Sequence, residues 1–364
     1  MKQRLLLYLV LLFPCTLIAQ IYTVCNINGI VADYKTLQGA IDSVPAGSTL
    51  YVFPSPNDYG NISIAKRIYI VGTGFMLDQN SNPYSSPNKT GVTLTSVTLN
   101  GGSDFSYLLG LQITGHTNPH GNNRISISGA SNITISRCML DELDGFEIST
   151  ANTINCTISQ SYIFLNSLLS PTDTYAFYQD QGSQNFLFTN NIIDDRYGFN
   201  VVTINSGTTV NNVSFNNNTF IAQLSNSNFG NFNYTNNVFV NSHPVNTYTA
   251  SDVSMNGLAF NNIVTDSFLF SGNTHNFIGA KPDSIFTGFT FGYHSWDQKW
   301  QIVPGSYVNT YATDGGQVGA FGTTNPYVLS GIPDLPSIYG ISISPDPVNH
   351  GNILVHIQAK ASYR

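Results

Sequence analysis

Asn212–Phe220 reads NVSFNNNTF and Asn231–Phe239 reads NFNYTNNVF. The same pattern is visible in Asn132–Leu140 (NITISRCML), Asn155–Ile163 (NCTISQSYI), Asn185–Ile193 (NFLFTNNII) and Asn256–Val264 (NGLAFNNIV). Each segment alternates apolar and polar residues, reaches a small polar residue and closes on an apolar one. Aligned on that residue, the anchors are Cys138, Ser161, Asn191, Asn218, Asn237 and Asn262, spaced 23, 30, 27, 19 and 25 apart. Self-similarity at such a period signals a solenoid, a propeller or an array. Alternation of period two makes each unit a strand. With no helical stretch between units, the chain reads as a parallel β-helix, which offers long faces and grooves.

The anchors have a physical reason. Stacked coils lie about 4.8 Å apart, so Asn side chains at one corner can hydrogen-bond along the stack and satisfy backbone groups there. Asn191, Asn218, Asn237 and Asn262 are therefore expected to form a structural ladder. This accounts for 42 Asn in a strand-rich chain, where Asn is normally depleted. The sequons at Asn132, Asn155, Asn212 and Asn233 follow from the same pattern.

Composition excludes several classes. Lys2 and Arg4 precede the apolar run Leu5–Phe13, and Leu17-Ile18-Ala19 offers a cleavage site. Residues 1–19 read as a secretory signal peptide, too short to span a bilayer comfortably. No later stretch is apolar enough to be a transmembrane segment, so the mature chain is expected to be secreted, extracellular or at the cell surface. About 345 residues remain, ample for one solenoid. With Lys+Arg 13 against Asp+Glu 20 and a pI near 5.3, there is no basic footprint for nucleic acid. Cys25, Cys138 and Cys156 remain after the leader, and stacking alone pairs none of them, so they read as buried small residues.

Residues 20–60 read as an N-terminal cap, with Tyr34, Leu37, Ala40, Ile41 and Val44 on one helical face. Residues 61–285 form the β-helix. Residues 286–364 read as a C-terminal cap. Its aromatics Phe286, Phe289, Phe291, Tyr293, Trp296 and Trp300 plug the last coil or, alternatively, form a sugar-stacking platform. Ile338–Ser344 and Asn352–Ala359 pair as terminal strands. Caps at both ends predict a monomer.

The helix Tyr34–Val44, Ser48–Phe53, Tyr59-Gly60-Asn61 and Ile68–Gly72 (IYIVG), followed by the N-x-x-I/F-x-N-N-x-I/F coils, resemble the pectin-lyase-like superfamily. The ending Asp314–Tyr327 (DGGQVGAFGTTNPY) with Ile353–Ala361 is similar to the tails of secreted β-helix proteins of Bacteroidetes-type bacteria, many without assigned activity. The resemblance implies an all-β fold, a single-stranded right-handed parallel β-helix, and a role on polysaccharide. It implies a pectate-lyase-like or glycoside-hydrolase-like enzyme, or else a non-catalytic glycan-binding or structural protein. The family's lyase base and its hydrolase strings are not matched. The chain has no Lys between Lys89 and Lys281, and no Gly-His-Gly or Arg-x-Lys.

One acidic cluster remains. Asp141, Glu142, Asp144 and Glu147 follow the Cys138 anchor, and Asp194, Asp195 and Arg196 follow Asn191. Asp141 and Asp194 are equivalent, two coils or about 9.6 Å apart, at the edge of the about 6.5–9.5 Å gap of inverting glycosidases. Asp141, Glu142, Asp194 and Asp195, with Arg137 and Arg196 to neutralise a uronate, are the candidate catalytic residues. Asp144, Glu147 and Asp180 are candidate substrate contacts. The same carboxylates could ligate Ca2+, though Asp after a strand is also ordinary turn chemistry. His116 and His120 share a Gly/Asn/Pro loop, which does not hold the helical spacing of a metal pair.

Overall fold

The structure is a computed structural model that describes residues 20–80, 90–114, 124–142, 146–165, 175–179, 182–195, 202–204, 212–222, 232–241, 259–265, 275–289, 295–345 and 353–360. Among these residues, three parallel sheets of ten, nine and six strands follow the chain. Tyr107–Leu109 lies in the ten-stranded sheet, Gln112–Ile113 in the nine-stranded and Ile125–Ser128 in the six-stranded. The next coil repeats the order with Thr134–Ser136, Met139–Glu142 and Phe146–Ala151. Every strand pairs in parallel with its equivalents one coil away. The chain is a parallel β-helix.

The sequence reading expects one strand per motif, in places two per coil; full coils carry three. Each motif is two strands joined by a two-residue corner. The first corner residue is left-handed: φ is +52° at Arg137 and Gln160, +56° at Asn190, +57° at Asn217, +59° at Asn236 and +51° at Asn261. Among non-glycine residues Asn tolerates this conformation best. The second corner residue points inward and is wholly buried at Asn191, Asn218, Asn237 and Asn262. The Asn-Asn pair thus has two separate physical causes.

The inward side chains bond coil to coil. The Oδ1 of Asn218 accepts from the backbone N–H of Asn191 at 2.9 Å and from its Nδ2 at 3.0 Å. Asn237 does the same for Asn218, and Asn262 for Asn237. Each Nδ2 also donates to a carbonyl of the neighbouring coil, as Asn218 does to Phe188 at 2.9 Å. Asn276, outside any recognised motif, extends the series by accepting from Asn262. At the other end Ser161 accepts from the N–H of Cys138. A second series runs outside, where Asn155, Asn185 and Asn212 each donate to the previous member, ending at Asn132.

The interior is apolar, and the coil spacing forces like residues to stack. Phe188, Phe215 and Tyr234 share one register row. Their ring centroids are 4.6 Å and 5.2 Å apart at 17° and 10°. The helix Leu37–Ser43 covers the first coil through Leu37, Ala40 and Ile41. Thr36 caps it, accepting from the N–H of Gly39. Ile21–Val24 adds a first strand against Ser48–Val52, so the ten-stranded sheet begins within the segment read as a cap.

The expected plug over the last coil is corrected. Residues 280–289 and 295–335 fold back along the outward face of the nine-stranded sheet. Phe286, Trp300, Val308, Val318 and Tyr327 bury against Met139, Tyr162, Phe164, Ile192, Ile221 and Val238. This strap bonds to the corners coil by coil. Asn261 donates to Tyr311, Asn236 to Thr313, Asn217 to Gln317, Asn190 to Ala320 and Gly322, Gln160 to Pro326, and Arg137 to Ile332. The reason is visible in Ile192-Ile193 and Val238-Phe239-Val240. These strands are apolar on both faces and need cover on both. Phe260, Phe277 and Ile278 on the last coils stay partly exposed. Ser337–Pro345 and Ile353–Lys360 form the terminal antiparallel pair.

Two predictions arise here. Cys25, Cys138 and Cys156 are free and buried. Burial pushes the Cys138 thiol up to about 12 and the Cys156 thiol up to about 11. A thiol reacts as thiolate, so iodoacetamide at pH 8 is expected to spare both in the folded chain and label both in guanidinium. Fast labelling of the folded chain would contradict the burial. Secondly, Arg137 pairs with Asp334 at 2.7 Å, with side chains 6% and 41% exposed. Water screens the Asp334 end, so Arg137→Met is expected to loosen the strap by about 1–2 kcal/mol. Limited proteolysis reads this as faster cutting within 311–334, and an unchanged rate would show that the pair is not an anchor.

Candidate functional site

Pairing in the nine-stranded sheet sets Asp141 beside Phe164, and Phe164 beside Asp194. The two carboxylates therefore share one row, two strand spacings apart, as expected. Their surroundings differ. Asp194 is wholly buried, and the Tyr162 hydroxyl donates to its Oδ2 at 2.5 Å. Asp141 is half-buried and lines an open cleft, with its Oδ1 shielded from solvent. Two carboxyls can flank a sugar only if both are reached by it. Asp194 is bonded to Tyr162 on the face that the strap covers, so of the two carboxylates Asp141 is the one at the cleft.

Of the other predicted residues, Arg137 has a described side chain. Arg137 is committed to Asp334 and Ile332 and donates through Nε to Gln160 at 3.1 Å. It is an anchor of the strap and not a cation at the cleft. Glu142 registers with Leu165, and Asp195 with Ala222. Glu147 lies in the strand Phe146–Ala151 of a different sheet. The side chains of these three lie outside the described residues, as do Asp144, Asp180, Arg196, His116 and His120 entirely. Among the described residues no three His, Cys, Asp or Glu gather as a metal-ligand group.

The cleft holds about 230 Å³. Met76, Leu77, Asp78 and Gln79 line it from one segment, Gln112, Met139 and Asp141 from the nine-stranded sheet, and Trp296 from the strap, where the Trp296 N–H donates to Gln79 Oε1 at 3.5 Å. Gln112 pairs with Met139 across neighbouring strands. Arg124, itself buried, donates through Nε to the Asp141 carbonyl at 3.1 Å and steadies that strand. Trp296 is 38% exposed, and its indole meets the Phe164 ring edge-on at 5.2 Å.

Beside Trp296 lies a buried polar knot. Asp297 is wholly buried. Its Oδ1 accepts from Asn80 Nδ2 at 2.8 Å and from Ser295 Oγ at 3.0 Å. Its Oδ2 accepts from the Ser330 N–H at 2.7 Å and from the Tyr327 hydroxyl at 3.3 Å. Burial, then the Asp297 charge, holds the Tyr327 phenol well above its usual range, so it stays a donor. Asn80 also donates to Ser330 Oγ at 2.7 Å, and Ser295 bonds back to Asn80. Asp297 was not singled out by sequence reasoning. Its only signal is a carboxylate set inside the aromatic stretch SWDQKW.

No family model matches the chain, and no curated protein matches it. Among solved structures, the pectate lyase Pel9A is 15% identical, with 83% of this chain and 96% of that one covered and a TM-score of 0.42. A rhamnogalacturonan lyase is 14% identical, with 83% and 100% covered and a TM-score of 0.40. An alginate lyase from Paenibacillus sp. str. FPU-7 is 13% identical, with 67% and 95% covered and a TM-score of 0.36. Scores this low leave the fold resting on the strand pairing itself. Among the described residues no helix is long and apolar enough to cross a membrane. By its strand pairing the chain is a parallel β-helix.

Proposed function

We propose that the chain is an exported glycan-binding protein that holds a neutral polysaccharide in the cleft between Asp141 and Trp296. The observation that carries this reading is that Trp296, 38% exposed, lines one cleft together with the carboxylates Asp78 and Asp141 and the amides Gln79 and Gln112. Binding sites of this kind combine aromatic walls with a few oriented polar groups. The apolar face of a sugar ring stacks on the indole. Its hydroxyls donate to Asp141 and Asp78 and exchange hydrogen bonds with Gln79 and Gln112.

The charge of the lining selects the ligand. Asp78 and Asp141 line the cleft, and among the described residues no Lys or Arg lines it. A uronate carboxylate there would meet like charge, which costs more in a partly desolvated cleft than in water. A neutral sugar meets no such penalty. Cleavage is the weaker reading, because among the described residues lining the cleft the acids are Asp78 and Asp141, on separate segments, while Asp194 is buried. Export rests on the leader-like residues 1–19.

Affinity electrophoresis of the mature chain through gels of neutral and uronate polysaccharides tests the proposal, with reducing ends and unsaturated uronate assayed in parallel. Retardation by a neutral polymer without product is expected. Retardation by uronate polymers alone, or release of product, would overturn it.

A further inference from the structure

We infer that Asp297 is the positioning residue of the cleft, fixing the Trp296 wall against the Met76–Gln79 wall. The inference rests on the glycan-binding reading but has its own physical readout. The two walls come from segments more than two hundred positions apart in the chain. Each is tied into the knot by its immediate neighbour: Asn80 follows Gln79, and Ser295 and Asp297 flank Trp296. All three neighbours are at least nine-tenths buried. They are bonded to one another and to Ser330 at the far end of the strap.

Trp296 itself is the least covered member of this group, at 38% exposed. Its backbone is therefore clamped on both sides while its ring stays open to a ligand. A clamped aromatic ring enters binding already ordered, and the ordering cost falls on folding. Ser330 carries φ +59°, a left-handed conformation. Its backbone N–H is aimed at Asp297 and its carbonyl accepts from Phe75 N–H at 2.8 Å. The end of the strap is thus part of the same device, so the cleft is assembled only when the strap is docked.

Asp297→Asn keeps the shape of the side chain but replaces one acceptor with a donor. An NH2 group placed at either oxygen position faces an existing donor, Asn80 on one side or the Ser330 N–H on the other. The expected result is a more mobile Trp296 within a folded solenoid. In a Trp300→Phe background Trp296 is the sole indole, since the chain has two Trp. Acrylamide quenching should then rise about twofold, and the affinity for the retarding neutral glycan should fall about three- to tenfold, the cost of immobilising a freed side chain. Asn80→Ala cuts the same link from the other wall and is expected to move both readouts the same way, which covers the case in which Asp297→Asn does not fold. Unchanged quenching in a folded variant would overturn the inference, whether or not any glycan binds. Unchanged affinity alongside raised quenching would overturn the link between the knot and binding. If the parent binds no glycan, the binding proposal fails, and the quenching result still decides the positioning role.

Discussion

Asn218→Ala is expected to destabilise the chain by about 3–5 kcal/mol, from three buried groups left without partners and the cavity around them. Asn218 Oδ1 accepts from both the N–H and the Nδ2 of Asn191, and its own Nδ2 donates to Phe188. All of these lie inside the solenoid, where Asn218 is wholly buried. The control is Asn212→Gly. Asn212 stands at φ +54° and belongs to the exposed outer series, donating to Asn185 at 3.1 Å. Glycine keeps its backbone conformation, and water replaces its bond, so a change within about 0.5 kcal/mol is expected. Equilibrium denaturation in guanidinium compares the two. Equal losses for both would mean that the inner bonds carry no more weight than the outer ones.

Trp296→Ala is expected to weaken glycan binding by about thirtyfold or more, the cost of truncating an aromatic hot spot. Its effect on folding is small by comparison. The ring is partly exposed, and truncation removes its edge-on packing against Phe164, worth about 1 kcal/mol. Binding and stability are thus separable at this residue. Calorimetric titration with a neutral oligosaccharide gives the first, and a thermal melt gives the second. A large fall in melting temperature with unchanged affinity would assign Trp296 to packing alone.

The fold is legible because its repeat is local. Alternation in NVSFNNNTF and NFNYTNNVF announces strands, and the second Asn of each pair returns at coil intervals. The corner between the two strands of a motif is not legible as such, because alternation runs across it, and only the left-handed φ at Asn190, Asn217 and Asn236 marks the bend. Two-sided burial is written in Ile192-Ile193, yet what covers the outer face is supplied by the strap from residue 280 onward.

The site is less legible, because its decisive contacts are distant in sequence. Asp141 and Asp194 share a row that spacing can place, but spacing cannot say which of them is buried. Arg137 looks like a ligand for an acid until Asp334, 197 positions on, takes its guanidinium. Asn80 and Asp297 are 217 positions apart. Neither carries a motif, since one hydrogen bond between single polar residues leaves no periodic trace.

The most direct test of the glycan-binding cleft is one calorimetric comparison of the mature wild type with Trp296→Ala. Each is titrated with the same neutral oligosaccharide and with a uronate oligosaccharide of matched length. Saturable binding of the neutral ligand, lost in Trp296→Ala and absent for the uronate, is the predicted result. Equal binding by both proteins, or binding of the uronate alone, would contradict it.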